Sequence, residues 1–93
     1  MKNFLKNNDI IVKIQNMPKN ILAIYVEILD KPCIVINDIL HSDMYEFMCY
    51  SCLYFKDKTV GKITVSDLEN KDFEPFEYAR KEMKKNCIAT NIA

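Results

Sequence analysis

The amino-acid sequence predicts a single α+β domain over residues 1–93, and two features of the chain support that fold class. The first forty residues hold short β-type apolar runs separated by turn residues, whereas the remainder holds an apolar helical segment and an amphipathic one. The composition is 49% hydrophobic and the formal net charge is +0, as is typical of a globular domain.

The N-terminal half predicts a short helix and then a small antiparallel sheet of two to three strands. Residues 1–8 favour the helix and residues 10–14 a first strand, before Pro18 interrupts the pattern. From residue 21 the chain alternates with a period of two, which is typical of a strand. One face carries Leu22, Ile24, Val26 and Ile28, and the other carries Ala23, Tyr25 and Glu27. A turn at residues 30–32 and the run of residues 33–36 complete a predicted hairpin.

The next segment predicts a buried central helix. Asp43 and Glu46 have the spacing of a capping box, and residues 44–55 contain few polar side chains. A helix that is apolar on nearly every side must be buried on nearly every side. We therefore expect this helix to pack on the hairpin.

The last third of the chain predicts an edge strand and a C-terminal amphipathic helix. Lys62 to Val65 alternate briefly after Gly61, and the helix begins near Asp72 or Glu74. Its apolar stripe contains Phe76, Ala79, Met83 and Cys87. The opposite side is charged and includes Glu77 and Lys81 at the spacing of a helical ion pair.

Five short motifs follow one another in an informative order. They are Met17-Pro18-Lys19-Asn20-Ile21, Ile24-Tyr25-Val26, Ile34-Val35-Ile36-Asn37, Thr59-Val60-Gly61 and Glu77-Tyr78-Ala79-Arg80, with the central helix after the third. In this order they resemble the start of the phage-type ImmA/IrrE-family metallopeptidases, over roughly residues 4–85. The resemblance implies one domain that is truncated at its C-terminal end relative to that family.

The resemblance also implies that the family's zinc site is missing. Members carry His-Glu-x-x-His on the central helix, where the histidines bind zinc and the glutamate activates water. Aligned with that motif, Tyr50 replaces the first histidine, Ser51 the glutamate and Tyr54 the second histidine. A neutral phenol is a poor zinc ligand, and serine cannot act as a carboxylate base. Because His41 is the only histidine, we expect a pseudo-enzyme without catalytic residues, metal or cofactor.

These observations predict a non-catalytic protein-binding regulator from a phage or mobile element. It would dock a repressor or a host defence protein, for instance as an anti-CRISPR-like inhibitor. The candidate interaction surface is the vacated cleft, which consists of Phe47, Tyr50, Tyr54 and Glu77. The alternative for the aromatic residues is that they fill the core against the last helix.

The cysteines leave a second function class open, a residual metal- or thiol-dependent hydrolase using Cys49 and Cys52. A zinc site could also gather the four cysteines with His41, although Cys49 and Cys52 fall within a predicted helix, where a knuckle turn does not form. The simpler interpretation is that Cys33, Cys49, Cys52 and Cys87 are buried reduced thiols.

The charge and hydropathy of the chain indicate which classes of partner to expect. Thirteen basic residues are balanced by thirteen acidic ones, so we expect no direct nucleic-acid binding. The longest apolar runs are shorter than the roughly 20 residues that span a bilayer, so we expect no membrane insertion and a cytoplasmic location. A domain of this size buries a modest fraction of its surface, so an interface between two copies could add to its stability. A homodimer is therefore an open alternative.

Overall fold

The computed structural model describes residues 4–5 and 8–92, with the side chains of these residues up to Lys85. The strands are β1 (Ile11–Gln15), β2 (Ile21–Ile28), β3 (Lys31–Asn37) and β4 (Val60–Thr64). The helices are α1 (Tyr45–Leu53) and α2 (Glu74–Ile92), and short 3-10 turns occupy Ser42–Met44, Lys56–Lys58 and Val65–Glu69. The predicted N-terminal helix over residues 1–8 lies mainly outside the described residues, and the first complete element is β1.

The sheet has four strands in the order β1-β3-β2-β4, and it is mixed. β2 pairs antiparallel with both β3 and β4, whereas β1 pairs parallel with β3. The predicted antiparallel sheet of two to three strands is therefore wrong, although the fold combines helices and strands as expected. The hairpin offers two free edges, and the period of a strand does not specify which edge a neighbour takes or its direction.

The hairpin turn lies one residue earlier than predicted. Ile28 pairs with Lys31, so the loop contains only Leu29 and Asp30, with φ of 52° and 64°. Two successive residues with positive φ are typical of a type I′ turn, whose twist matches that of the strands it joins. Lys31 and Pro32 belong to β3.

A β-bulge in β2 decides which side chains reach the core. The pairing with β4 shifts between Ile21 and Ala23, so Leu22 is the extra residue. Both Leu22 and Ala23 consequently belong to the core cluster, although strict alternation predicts opposite faces. The helix-covered face of the sheet is completed by Tyr25, Ile34, Ile36 and Ile63, all fully buried.

Helix α1 lies between the sheet and α2, because it packs on β2, β3, β4 and α2. Its buried residues are Met48, Cys49, Tyr50, Ser51 and Cys52. Tyr45, Glu46, Phe47 and Leu53 remain partly exposed, so the prediction of a helix buried on nearly every side is wrong. A sheet and a single neighbouring helix cover two sides of α1 and leave its flanks at the surface.

The predicted capping box at Asp43 is also wrong. Met44 caps α1 without a side-chain hydrogen bond, and Asp43 belongs to the 3-10 turn before it. A capping box instead starts the 3-10 turn after β4, where the backbone N–H of Thr64 donates to Asp67 Oδ2 at 2.7 Å. Reciprocal contacts of this kind satisfy amide groups that a helix start leaves unpaired.

The C-terminal helix starts where the sequence predicts, and it continues to Ile92. It begins at Glu74 with Pro75 in the first turn, where the missing N–H of proline is not needed. Phe76 and Ala79 are buried, whereas the Cys87 side chain lies outside the described ones. On the charged side, Lys85 Nζ lies 3.5 Å from Glu82 Oε2. Across the described residues, neither helix has the length and apolar character that membrane crossing requires.

Candidate functional site

Two of the three positions that align with the zinc motif are part of the core. The Tyr50 side chain is only 3% exposed, and its ring meets that of Phe4 edge to face with centroids 5.0 Å apart. Ser51 is fully buried, and its hydroxyl donates to the carbonyl oxygen of Phe47 at 2.8 Å. Neither residue is available to a ligand on the surface.

Tyr54, the third position, lies at the surface beyond the end of α1. Its phenol donates a hydrogen bond to the Glu74 carboxylate, and this contact raises the pKa of Tyr54. The Lys58 ammonium lies 4.5 Å from the centroid of the Tyr54 ring, a cation–π contact. Tyr78 approaches from α2 with ring centroids 6.3 Å apart. These contacts join the end of α1 to the start of α2.

The predicted interaction surface is therefore divided between the core and the surface. Phe47 packs on Phe76 with ring centroids 5.2 Å apart, as a contact between the two helices. Glu77 is exposed on the first turn of α2. Of the four residues, Tyr54 and Glu77 are accessible to a partner, whereas Tyr50 fills the core.

The described residues contain no group of three or more His, Cys, Asp or Glu side chains that could hold a metal ion. His41 Nδ1 lies 2.8 Å from Asp43 Oδ1, and both side chains are largely exposed. Surface pairs of this kind contribute little to stability. Cys33, Cys49 and Cys52 are buried thiols.

Burial disfavours the thiolate form of the two helix cysteines. Removal from water disfavours the charged thiolate and raises the pKa of Cys49 to about 12. The same effect raises the pKa of Cys52 even further. Because the thiolate is the nucleophile, neither cysteine is suited to catalysis at neutral pH.

These shifts predict that alkaline pH destabilises the fold. Cysteine thiols of the unfolded chain ionise at about pH 8.5, whereas the buried thiols of the folded chain keep their protons to much higher pH. The contribution is fully present below the unfolded pKa and is lost as the pH rises toward about 12. We expect urea unfolding to give a lower free energy at pH 10.5 than at pH 7.5, by up to about 5 kcal/mol for two such thiols. The decrease should be smaller in a Cys49→Ala, Cys52→Ala variant, and an equal decrease would contradict the assignment.

A second surface, which the sequence motifs do not predict, is the face of the sheet turned away from the helices. We call it the open face. Strand pairing places two rows of side chains across it. They are Ile11, Cys33, Val26 and Val60 in one row, and Lys13, Val35, Ile24 and Lys62 in the next, with Ile28 and Lys31 paired beyond the first.

The open face is apolar and exposed. None of its apolar residues belongs to the core cluster that the helices cover. Ile28 is 58% exposed, Val60 61% and Ile11 48%. Ile24, Val26 and Val35 are half-buried, and Cys33 is buried. Contiguous exposed apolar surface of this kind marks an interaction site more often than chance.

A signal for this surface is present in the sequence. β3 contains the uninterrupted apolar run of residues 33–36, and β2 has apolar residues on both faces. Such runs are typical of strands that are covered on both sides. In the part of the chain that the structure describes, the helices cover one side only.

The charge of the open face is of one sign. Lys13, Lys31 and Lys62 are exposed at its strand positions, and no Asp or Glu occupies a strand position there among the described residues. Glu27 points to the other face, where it accepts a hydrogen bond from the Tyr25 hydroxyl at 3.1 Å. A chain with a formal net charge of +0 therefore has a locally positive face.

The geometry thus offers an apolar, lysine-bordered sheet face and a small aromatic cluster at Tyr54. The function has to be inferred from these residues, because a scan against protein-family models and searches of curated proteins and of solved structures found no match to this chain.

Proposed function

We propose that this chain is a non-catalytic protein-binding module and that the open face is its binding surface. The observation that carries the proposal is the mismatch between the apolar character of β2 and β3 on both sides and the helical cover on one side. Burying exposed apolar surface contributes about 25 cal/mol per Å². A partner that covers Ile11, Ile28 and Val60 gains this contribution.

Several contacts weigh against the enzymatic alternatives. Tyr50 and Ser51, which align with a histidine and the glutamate of the zinc motif, have their side chains in the core. The thiols of Cys49 and Cys52 are buried with raised pKa, so a thiol-dependent hydrolase lacks an accessible thiolate. These observations favour binding over catalysis.

From the resemblance to ImmA/IrrE metallopeptidases we propose the biological role. The chain would be a phage or mobile-element regulator that docks a repressor or a host defence protein in the cytoplasm. Two of the motifs behind the resemblance are in contact. Asn37 Nδ2 donates to the carbonyl oxygens of Pro18 at 3.0 Å and Ile21 at 2.7 Å. The likeness therefore involves one connected local structure. The free thiol of Cys33 is consistent with a reducing compartment.

The test compares two matched double variants against a panel of phage repressors and host defence proteins. Ile28→Glu with Val60→Glu puts carboxylates on the open face, whereas Val65→Glu with Leu68→Glu makes the same change at exposed apolar residues of the 3-10 turn after β4. We expect isothermal titration to find a panel member that the wild type and the second variant bind equally. The open-face variant should bind at least tenfold more weakly.

Two outcomes would overturn the proposal. Equal binding by both variants would show that the open face is not the binding surface. Cleavage of the bound protein in the presence of Zn²⁺, detected by mass spectrometry of the mixture, would show that the chain is an enzyme.

A further inference from the structure

We infer that the open face binds an acidic amphipathic helix of another protein, with its apolar stripe on β2 and β3 and carboxylates on both flanks. This inference rests on the proposed function and adds the chemistry of the partner segment. Its basis is the arrangement of apolar and charged side chains in the two rows of the open face.

The width of the apolar strip fits one helix. The inner strands contribute Ile24, Val26, Cys33 and Val35 to this face. Neighbouring strands are about 4.8 Å apart, so the outer strands β1 and β4 lie about 14 Å from each other. An α-helix with its side chains is about 10–12 Å across. One helix laid along β2 and β3 therefore covers these four residues. Ile11 and Val60 of the outer strands lie against its sides in one row, and the lysines of the outer strands lie beside it in the next.

The lysines lie where the flanks of such a helix would be. Lys13 on β1 and Lys62 on β4 end the same row, which also contains Val35 and Ile24. Both lysines are exposed, so their ammonium groups have room to move toward a ligand. A helix with Asp or Glu beside its apolar stripe would pair with one lysine on each side. Lys31 adds a third positive charge next to Ile28.

The same charges disfavour a second copy of the chain as the occupant. Two open faces packed against each other would bring Lys13 and Lys62 of one copy close to those of the other. Like charges brought together at an interface lower affinity. A partner with carboxylates at these positions has no such penalty. The positive charge of the lysines also attracts such a partner to the open face before contact.

The test uses two synthetic helical peptides of about 14 residues, which is about 21 Å of helix and matches the strand length. Both carry the same leucine stripe, flanked by glutamates in one peptide and by lysines in the other. We expect the wild-type chain to bind the glutamate peptide at least tenfold more tightly by fluorescence anisotropy. A Lys13→Glu, Lys62→Glu variant should reverse that preference.

The matched control is Lys81→Glu with Lys84→Glu, which changes two exposed lysines on α2, on the other side of the sheet. This variant should keep the wild-type preference. Equal affinity of the wild type for both peptides would overturn the inference. So would tighter binding to vesicles of equal parts phosphatidylcholine and phosphatidylglycerol, or a concentration-dependent dimer that Val60→Glu abolishes.

The two proposals fail in different ways. If Ile28→Glu with Val60→Glu abolishes binding to the natural partner while the charge-reversal variant binds it normally, the open face is the binding surface and only the acidic helix is wrong. If neither variant affects that binding, the proposed function itself is wrong.

Discussion

Replacing Asn37 with alanine is expected to lower the free energy of unfolding by about 3 kcal/mol, because several buried groups lose their partner together. Asn37 is fully buried, and its amide shares its two N–H hydrogens among the carbonyl oxygens of Met17, Pro18 and Ile21. Its Oδ1 accepts from the backbone N–H of Ile39 at 3.2 Å. The amide thus connects the end of β3 to the loop that precedes β2. Urea unfolding measures the loss.

Two further variants isolate the cause of that loss. Asn37→Asp keeps the shape but replaces the donor with an oxygen that faces carbonyl oxygens, so we expect at least as large a loss. Asn16→Ala removes an exposed amide whose contact with Asp38 Oδ1 is 3.4 Å long, and should change stability by less than about 0.5 kcal/mol. A similar effect of Asn16→Ala and Asn37→Ala would contradict the role of the buried amide.

The second large effect is expected at Gly61, where alanine should cost about 3 kcal/mol through overpacking. Gly61 pairs with Tyr25 in the sheet, and a Cβ at this position would overlap the Phe55 ring. The backbone of Gly61 does not have a positive φ, so the reason for glycine is space and not conformation. Thermal and urea unfolding of Gly61→Ala measure the effect.

A double-mutant cycle tests the mechanism. Phe55→Ala removes the ring that occupies the space, so Gly61→Ala in that background should cost little beyond Phe55→Ala alone. Lys62→Ala, at an exposed neighbouring position of β4, is the control and should change stability by less than about 0.5 kcal/mol. Additive losses at Gly61 and Phe55 would show that the two residues do not compete for the same space.

The candidate site could be predicted only in part. The resemblance directed attention to Tyr50 and Tyr54, which are one helical turn apart and could share an accessible face. In the structure Tyr50 contacts Phe4, a residue 46 positions earlier, whereas Tyr54 contacts Glu74 and Lys58. Contacts between such distant parts of the chain determine accessibility, and the spacing within one helix contains no information about them.

For the open face, the apolar pattern is visible in the local sequence, but the exposure of that pattern depends on the tertiary structure. The apolar residues of β2 and β3 are visible in the sequence as runs and alternation. Their distribution becomes informative only when the helices are found on one side of the sheet and the other side is left exposed. The three lysines are scattered along the chain, and only strand pairing brings Lys13, Lys31 and Lys62 to one face.

By itself, the sequence determined the features that depend on neighbouring residues: the period of β2, the hairpin, the approximate extent of α1 and the apolar stripe of α2. The tertiary structure decided the rest. It placed β1 parallel to β3, put Leu22 into the core through a bulge, and assigned the capping box to Thr64 in place of Asp43. The physical reason is that local patterns specify which residues prefer burial, whereas packing between distant segments decides which surfaces are covered.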